Sequence, residues 1–204
     1  MYAMASTVLE SIRGWGRSAE VGPDPPQTPS EPAGKPDSAI DAEALLRSTS
    51  AVVGGNDGLR LESTFRTAWH DRMREIRETN SRLTELATRL DGRSDRLALE
   101  VTDEGFAATR GRDRVGCWPS DGAFLADLAS TAVLEESDPT WETLESRERR
   151  IVLTALRLFL EWCPNCDGEL VGETTPTDVG GGDGSTVRLE CVRCGSLLVS
   201  ERDR

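Results

Sequence analysis

The sequence predicts an α+β fold: a helical domain with a small antiparallel β-meander, followed by a short C-terminal β module that needs a staple. Three observations carry that expectation. A run from Leu59 to Leu90 holds neither proline nor glycine and repeats apolar residues at helical spacing. Residues 96–118 change to a period of two, with turn residues between the runs. Two Cys-x2-Cys pairs, Cys163/Cys166 and Cys191/Cys194, bracket a polar, glycine-rich stretch near the C-terminus.

At 204 residues, with 37% hydrophobic and 29% charged, the chain can bury one medium domain and a small one. The expected division is a mostly disordered arm with short helices over 1–58, an α+β helical domain over 59–162, and the cysteine module over 163–204. The longest apolar segment, Ile151 to Leu160, contains Arg157, so no membrane span is expected. No basic leader followed by an apolar run opens the sequence. A cytoplasmic location with no membrane partner is the expectation.

The charge balance is unusual. Acids outnumber bases 36 to 24, the net charge is −12, and Lys35 is the single lysine. The acidity runs along the whole chain, with no acidic tail and no basic arm. A compact acidic surface stays hydrated in molar salt, and the lysine-poor composition resembles that of haloarchaeal proteins. In such a medium the Debye length is about 3 Å, so acidity argues only weakly against nucleic acid.

Along the chain, Val8, Leu9, Ile12 and Trp15 form one short apolar stripe, either a docking helix or a frayed tail. Residues 19–39 hold six of the ten prolines and read as a linker. A short helix is expected over Ile40–Arg47, then a flexible piece through Gly54, Gly55 and Gly58. The run to Leu90 reads as one long helix. Its seam of Trp69, Met73, Ile76, Asn80, Leu83, Ala87 and Leu90 fits a heptad with one polar member, or an amphipathic helix lying on its own domain, the reading preferred here. Asp91-Gly92 is a suitable C-terminal stop.

Leu97, Leu99 and Val101 alternate with polar or small neighbours, and Asp103-Glu104-Gly105 and Gly111-Arg112-Asp113 are turn sequences, giving a three-stranded meander to Trp118. A helix should follow from Pro119-Ser120-Asp121 to about Val133, capped by Ser120 or Asp121. Asp138-Pro139 opens the last helical region. Its segment from Leu144 to Trp162 carries apolar residues on most sides, so it is the expected buried centre, with the 59–90 helix as its partner.

That helix runs into the cysteines. Two residues between paired cysteines let a tight turn present both sulfurs to one ion, and turn amides can bond to the sulfurs. Gly168 and Gly195 stand where the chain leaves each turn, with a positive φ expected. Cys163, Cys166, Cys191 and Cys194 would fill a tetrahedral zinc sphere and leave no open position, which makes the site structural. Glu169–Glu173, Val187–Glu190 and Ser196–Ser200 read as strands, with a flexible tip over Thr177–Ser185. A module of about forty residues lacks the apolar area to fold unaided. In spacing, glycines and flanking strands, residues 163–198 resemble the zinc-ribbon family, which implies a bound Zn2+ and a fold but no particular activity. Four thiolates would also take iron in a rubredoxin-like site, and a redox disulfide is a further alternative.

Elsewhere, Cys117 is expected to be a small buried side chain. His70, the only histidine, is expected to be partly exposed and structural. No nucleophile elbow, phosphate loop or HExxH pattern occurs, so no catalytic residue and no cofactor-binding loop is proposed. The function expected is that of a non-enzymatic binding or adaptor protein with a protein partner. The rival is a DNA- or RNA-associated regulator using Arg188 and Arg193 of the ribbon. Arg147, Arg149, Arg150 and Arg157, the hairpin's Arg110, Arg112 and Arg114, and the helical Arg72, Arg74 and Arg77 would extend that footprint. Interleaved acids, as in Glu145-Ser146-Arg147-Glu148, favour intrahelical ion pairs instead.

Overall fold

A computed structural model describes residues 40–55, 58–90, 96–177 and 184–200. The N-terminal stripe, the proline-rich linker, the Asp91-Gly92 stop and the glycine tip at 180–182 lie outside them.

The first element, α1 (Ala42–Ser48), is short but well capped: the Asp41 carboxylate accepts from the amides of Glu43 and Ala44. Ala42 and Leu46 are fully buried in the main core. The glycines expected to make a flexible piece instead belong to a hairpin, β1 (Val52–Gly55) and β2 (Gly58–Leu61), paired antiparallel from Val52↔Leu61 to Gly55↔Gly58. The deciding residues are Val52 and Leu59, which bury in the same core.

The expected long helix is two helices. α2 (Ser63–Thr79) ends where Asn80 turns left-handed at φ 51°. The Ser81 amide donates to the Ile76 carbonyl and the Asn80 amide to that of Arg77, the paired bonds of a Schellman stop. Asparagine tolerates that conformation better than most side chains, so the polar member of the seam is a stop signal, not a register pin. α3 (Arg82–Arg89) then sets off anew. Trp69, Met73 and Ile76 bury in the protein's own core, as the amphipathic reading expected.

The meander is as read: β3 (Leu97–Thr102), β4 (Gly105–Arg110) and β5 (Asp113–Trp118) form one antiparallel sheet in that order. Cys117, however, is exposed. Trp118 turns inward onto Phe124, ring centroids 4.5 Å apart, and the pleat sends its neighbour the other way on this edge strand.

The buried centre is α4 (Asp121–Ser137), capped by Ser120, with twelve of its seventeen residues buried. That corrects the expectation for 144–162. Alanines, glycine and serine on α4 let neighbours approach from every side. α5 (Pro139–Thr143) follows, with Asp138 as its cap, and α6 (Ser146–Arg157) ends well before the cysteines. α6 is exposed or half-buried along its first half and buried only from Val152 onward, at Val152 and Thr154 to Arg157, so its apolar residues overstated its depth. α2 packs on α4, where the Trp69 indole donates to the Ala126 carbonyl at 2.9 Å.

The C-terminal module is a second three-stranded antiparallel sheet, β6 (Leu170–Thr177), β7 (Gly184–Cys191) and β8 (Leu197–Val199), in the order β6-β7-β8. Leu189, Leu198 and Val199 belong to the same hydrophobic cluster as the helices. No helix among the described residues is long and apolar enough to cross a membrane.

Candidate metal centre

The two knuckles are built alike. In each, the amide four residues after the first cysteine donates back to that cysteine's carbonyl: Asp167 to Cys163, and Gly195 to Cys191, both at 2.9 Å. One residue later, the Gly168 and Ser196 carbonyls accept from the amides of Cys163 and Cys191. The left-handed position is the same in both, Asp167 at φ 55° and Gly195 at φ 70°.

Gly195 therefore matches the expectation and Gly168 corrects it. Gly168 is needed for space: a β-carbon there would sit 3.0 Å from Cys191 Sγ and 3.1 Å from Cys166 Sγ. The left-handed turn falls to Asp167 instead, an aspartate held in place by Arg77. That guanidinium donates to both Asp167 carboxylate oxygens at 2.9 Å and to the Pro164 carbonyl at 3.0 Å. The contact keeps the Asp167 carboxyl below its ordinary range and raises Arg77 further.

All four sulfurs lie within 4.8 Å of one another. Two pairs meet across the knuckles, Cys163 with Cys194 and Cys166 with Cys191, each at 3.6 Å. A disulfide needs about 2.05 Å. Tetrahedral thiolates at 2.3 Å from a metal are spaced by about 3.8 Å. The set therefore fits a metal ion held by four cysteines.

Electrostatics divides the thiols. Burial pushes Cys163 and Cys166 up, with desolvation the leading cause in each. Amides of Asn165 and Cys166 donate to the Cys163 sulfur and partly offset this. For Cys194, desolvation is outweighed by the Ser196 hydroxyl and amide and by the neighbouring thiols, which bring it down to about 6. Four thiolates gathered at one partly buried point repel one another, and a cation offsets that repulsion.

The centre is anchored to the helices by polar contacts that the sequence did not reveal. Arg82 reaches Asn165 at 3.2 Å and pairs with Asp121 at 2.9 Å. Ser120, the α4 cap, donates to the Leu197 carbonyl at 2.7 Å. Arg157 is 3% exposed and pairs with Asp127 at 2.9 Å, while also donating to the Leu198 carbonyl and to Thr154. The Trp118 indole donates to the other Asp127 oxygen.

Most arginines expected to meet phosphate are engaged within the chain. Arg193 donates to the Cys166 carbonyl, Arg188 pairs with Glu190, Arg72 with Glu136, Arg74 with Asp71 and Arg114 with Glu104. Arg110 donates to the Leu90 carbonyl. Arg157 is buried outright, which removes it from the footprint. His70 is half-buried, and desolvation lowers its pKa; its Nδ1 accepts from the Trp162 indole at 3.2 Å.

No curated protein and no solved structure matches the chain. A family model does, over residues 41–158, and it ends short of Cys163, so the ribbon resemblance has no family match behind it. That stretch takes in the hairpin, the meander and every helix among the described residues. The chain belongs to the family of unknown function DUF8054, whose central domain these residues form.

Proposed function

We propose that the protein is a non-enzymatic zinc-ribbon adaptor, with one structural Zn2+ held by Cys163, Cys166, Cys191 and Cys194. The observation that carries the reading is the convergence of four sulfurs from two like-built knuckles, flanked by a three-stranded antiparallel sheet. Four protein ligands close the coordination sphere, so the ion organises the chain and takes no substrate. The surface beside it supports a protein partner. Trp162, immediately before the module, and Val171 and Val192 within it are exposed apolar residues. Trp162 and Val192 flank Glu169, through a β-bridge and a 3.0 Å amide bond respectively.

Metal analysis of protein purified without chelator tests the first half. One zinc per chain, lost in Cys166→Ser, is expected; a red, iron-loaded protein would assign a rubredoxin-like centre instead. Capture experiments from a salt-rich native extract test the second. A partner retained by the wild type and released by Val192→Asp supports the adaptor reading; identical captures from both remove its surface. Random nucleic acid bound with a steep salt dependence would favour the regulator reading.

A further inference from the structure

The sheet of the cysteine module has two faces, and strand register assigns each residue to one of them. β6 pairs with β7 from Leu170↔Cys191 to Thr177↔Gly184. Val187, Leu189 and Cys191 are buried on the side toward the helices. Alternation along the strands therefore sends Val171, Glu190 and Val192 to the other side.

Trp162 joins that outer side. A single antiparallel bridge sets it opposite Glu169, and on the far side of Glu169 the Val192 amide donates to the Glu169 carbonyl at 3.0 Å. Residues opposed across an antiparallel pair share a face, with β-carbons about 4.5–5.5 Å apart. Glu169 thus stands between Trp162 and Val192, and Val171 follows two positions along the chain on the same face. Solvent reaches all four: Trp162 is 48% exposed, Val171 46% and Val192 64%, and Glu169 is exposed too.

Trp162 is held in place. Its indole donates to His70 Nδ1 at 3.2 Å, and the two rings meet edge to face with centroids 6.0 Å apart. A large side chain already fixed loses little freedom on binding, which suits it to anchor an interface. Glu169 has no ion pair among the described residues. The arginines around it are taken by other acids: Arg66 by Glu161, Arg77 by Asp167 and Arg188 by Glu190. A two-fold pairing of this face with itself would crowd two Glu169 carboxylates among apolar residues, which disfavours a second copy as the occupant.

We propose that this face docks a basic, apolar segment of a partner protein, with an arginine or lysine laid on the exposed part of the Trp162 ring and paired with the Glu169 carboxylate. Apolar neighbours of that cation cover Val171 and Val192. A cation over an indole face is attracted by the ring itself, and the carboxylate adds a charge-assisted bond. The apolar residues supply affinity and Glu169 the choice of partner, because an acidic or neutral segment would bury its carboxylate unpaired. This docking rests on the adaptor reading and adds the partner's charge to it.

A charge swap tests it. Random displayed peptides are selected against the full-length protein, purified without chelator, and against its Glu169→Lys variant. The wild type should enrich arginine or lysine between apolar residues, and Glu169→Lys should enrich aspartate or glutamate there instead. A synthetic peptide from the wild-type selection should shift the Trp162 indole 1H–15N resonance. It should bind Glu169→Gln about tenfold more weakly, the worth of one charge-assisted bond, and Glu100→Gln on β3 as tightly as the wild type. No enrichment, enrichment without a basic position, or equal affinity for the wild type and Glu169→Gln overturns the proposal. If Val192→Asp still loses its captured partner in that event, the adaptor reading survives and only the partner's charge is wrong. Sedimentation showing self-association that Val192→Asp abolishes would overturn it in favour of a second copy.

Discussion

The helical body and the cysteine module reach order by opposite routes. The body buries Trp69, Phe124, Leu125, Leu134, Trp141 and Leu156 almost completely, and its cohesion is apolar area. The module contributes Leu189, Leu198 and Val199 to that cluster, and at its other end four sulfurs gather, those of Cys163 and Cys191 buried and that of Cys194 on an exposed residue. Between them runs a seam that is largely polar: Arg77 with Asp167, Arg82 with Asn165, Ser120 with Leu197, and Arg157 joining Asp127 to Leu198. A small β module can thus keep little core of its own if a metal sets its turns and directional bonds set its position.

Removing the proposed metal should break the comparison most severely. Structural zinc contributes on the order of 10–16 kcal/mol of apparent binding free energy, all of it coupled to folding. Cys163→Ser should release the ion and disorder the module, seen as rapid amide exchange over β6 to β8. Because β8 sits in the shared core, the melting temperature of the body should fall too; an unchanged body transition would show that the two regions are independent. The ligands bind as thiolates, and burial holds the Cys163 thiol above its ordinary range, so uptake releases protons. Apparent zinc affinity should therefore climb as pH rises, measured by competition with a chelator.

The seam comes next. Asp127→Ala removes the carboxylate 2.9 Å from the buried Arg157 guanidinium, at an expected cost of about 3–5 kcal/mol in urea unfolding. Removing both charges, as in Asp127→Leu with Arg157→Met, should recover much of that loss. Recovery would show that the pair sets the position of β8 and adds little net stability.

At the exposed edge of the seam the effect shrinks. Asp167 is 66% exposed, so Arg77→Ala should cost no more than about 1 kcal/mol. The sign follows from the Asp167 carboxyl lying below its unfolded value. The stabilisation is complete above the ordinary carboxylate range and disappears as pH falls through the folded pKa. A carbon-detected titration should find the Asp167 midpoint higher in Arg77→Ala than in the wild type; equal midpoints would remove Arg77 as the cause.

The smallest effect belongs to the break between α2 and α3. Asn80→Gly should be neutral within a few tenths of a kcal/mol, whereas Asn80→Ala should cost about 1 kcal/mol, since alanine fits a left-handed stop poorly. A stabilised Asn80→Ala would revive the continuous helix.

Much of this was legible beforehand where the determinants are local. The meander's turns, the Ser120 and Asp138 caps and the cysteine spacing depend on residues a few positions apart, so they could be read directly. Asn80 was legible as an anomaly and misassigned, because a polar residue in an apolar seam fits both a heptad and a stop. The depth of α4 was missed because hydrophobicity counts side chains, and small ones bury without scoring highly.

By itself, then, the sequence determined the α+β class, the local turns and the identity of the four cysteines, since each is encoded within one turn or one strand alternation. Only the tertiary structure decided that the cysteines converge, that Asp167 and Gly195 occupy equivalent positions, and that Arg157 is buried instead of offered to phosphate. Those outcomes depend on contacts between residues some thirty to ninety positions apart. Spacing along a chain carries no record of such pairings, because packing selects them only once the elements have formed.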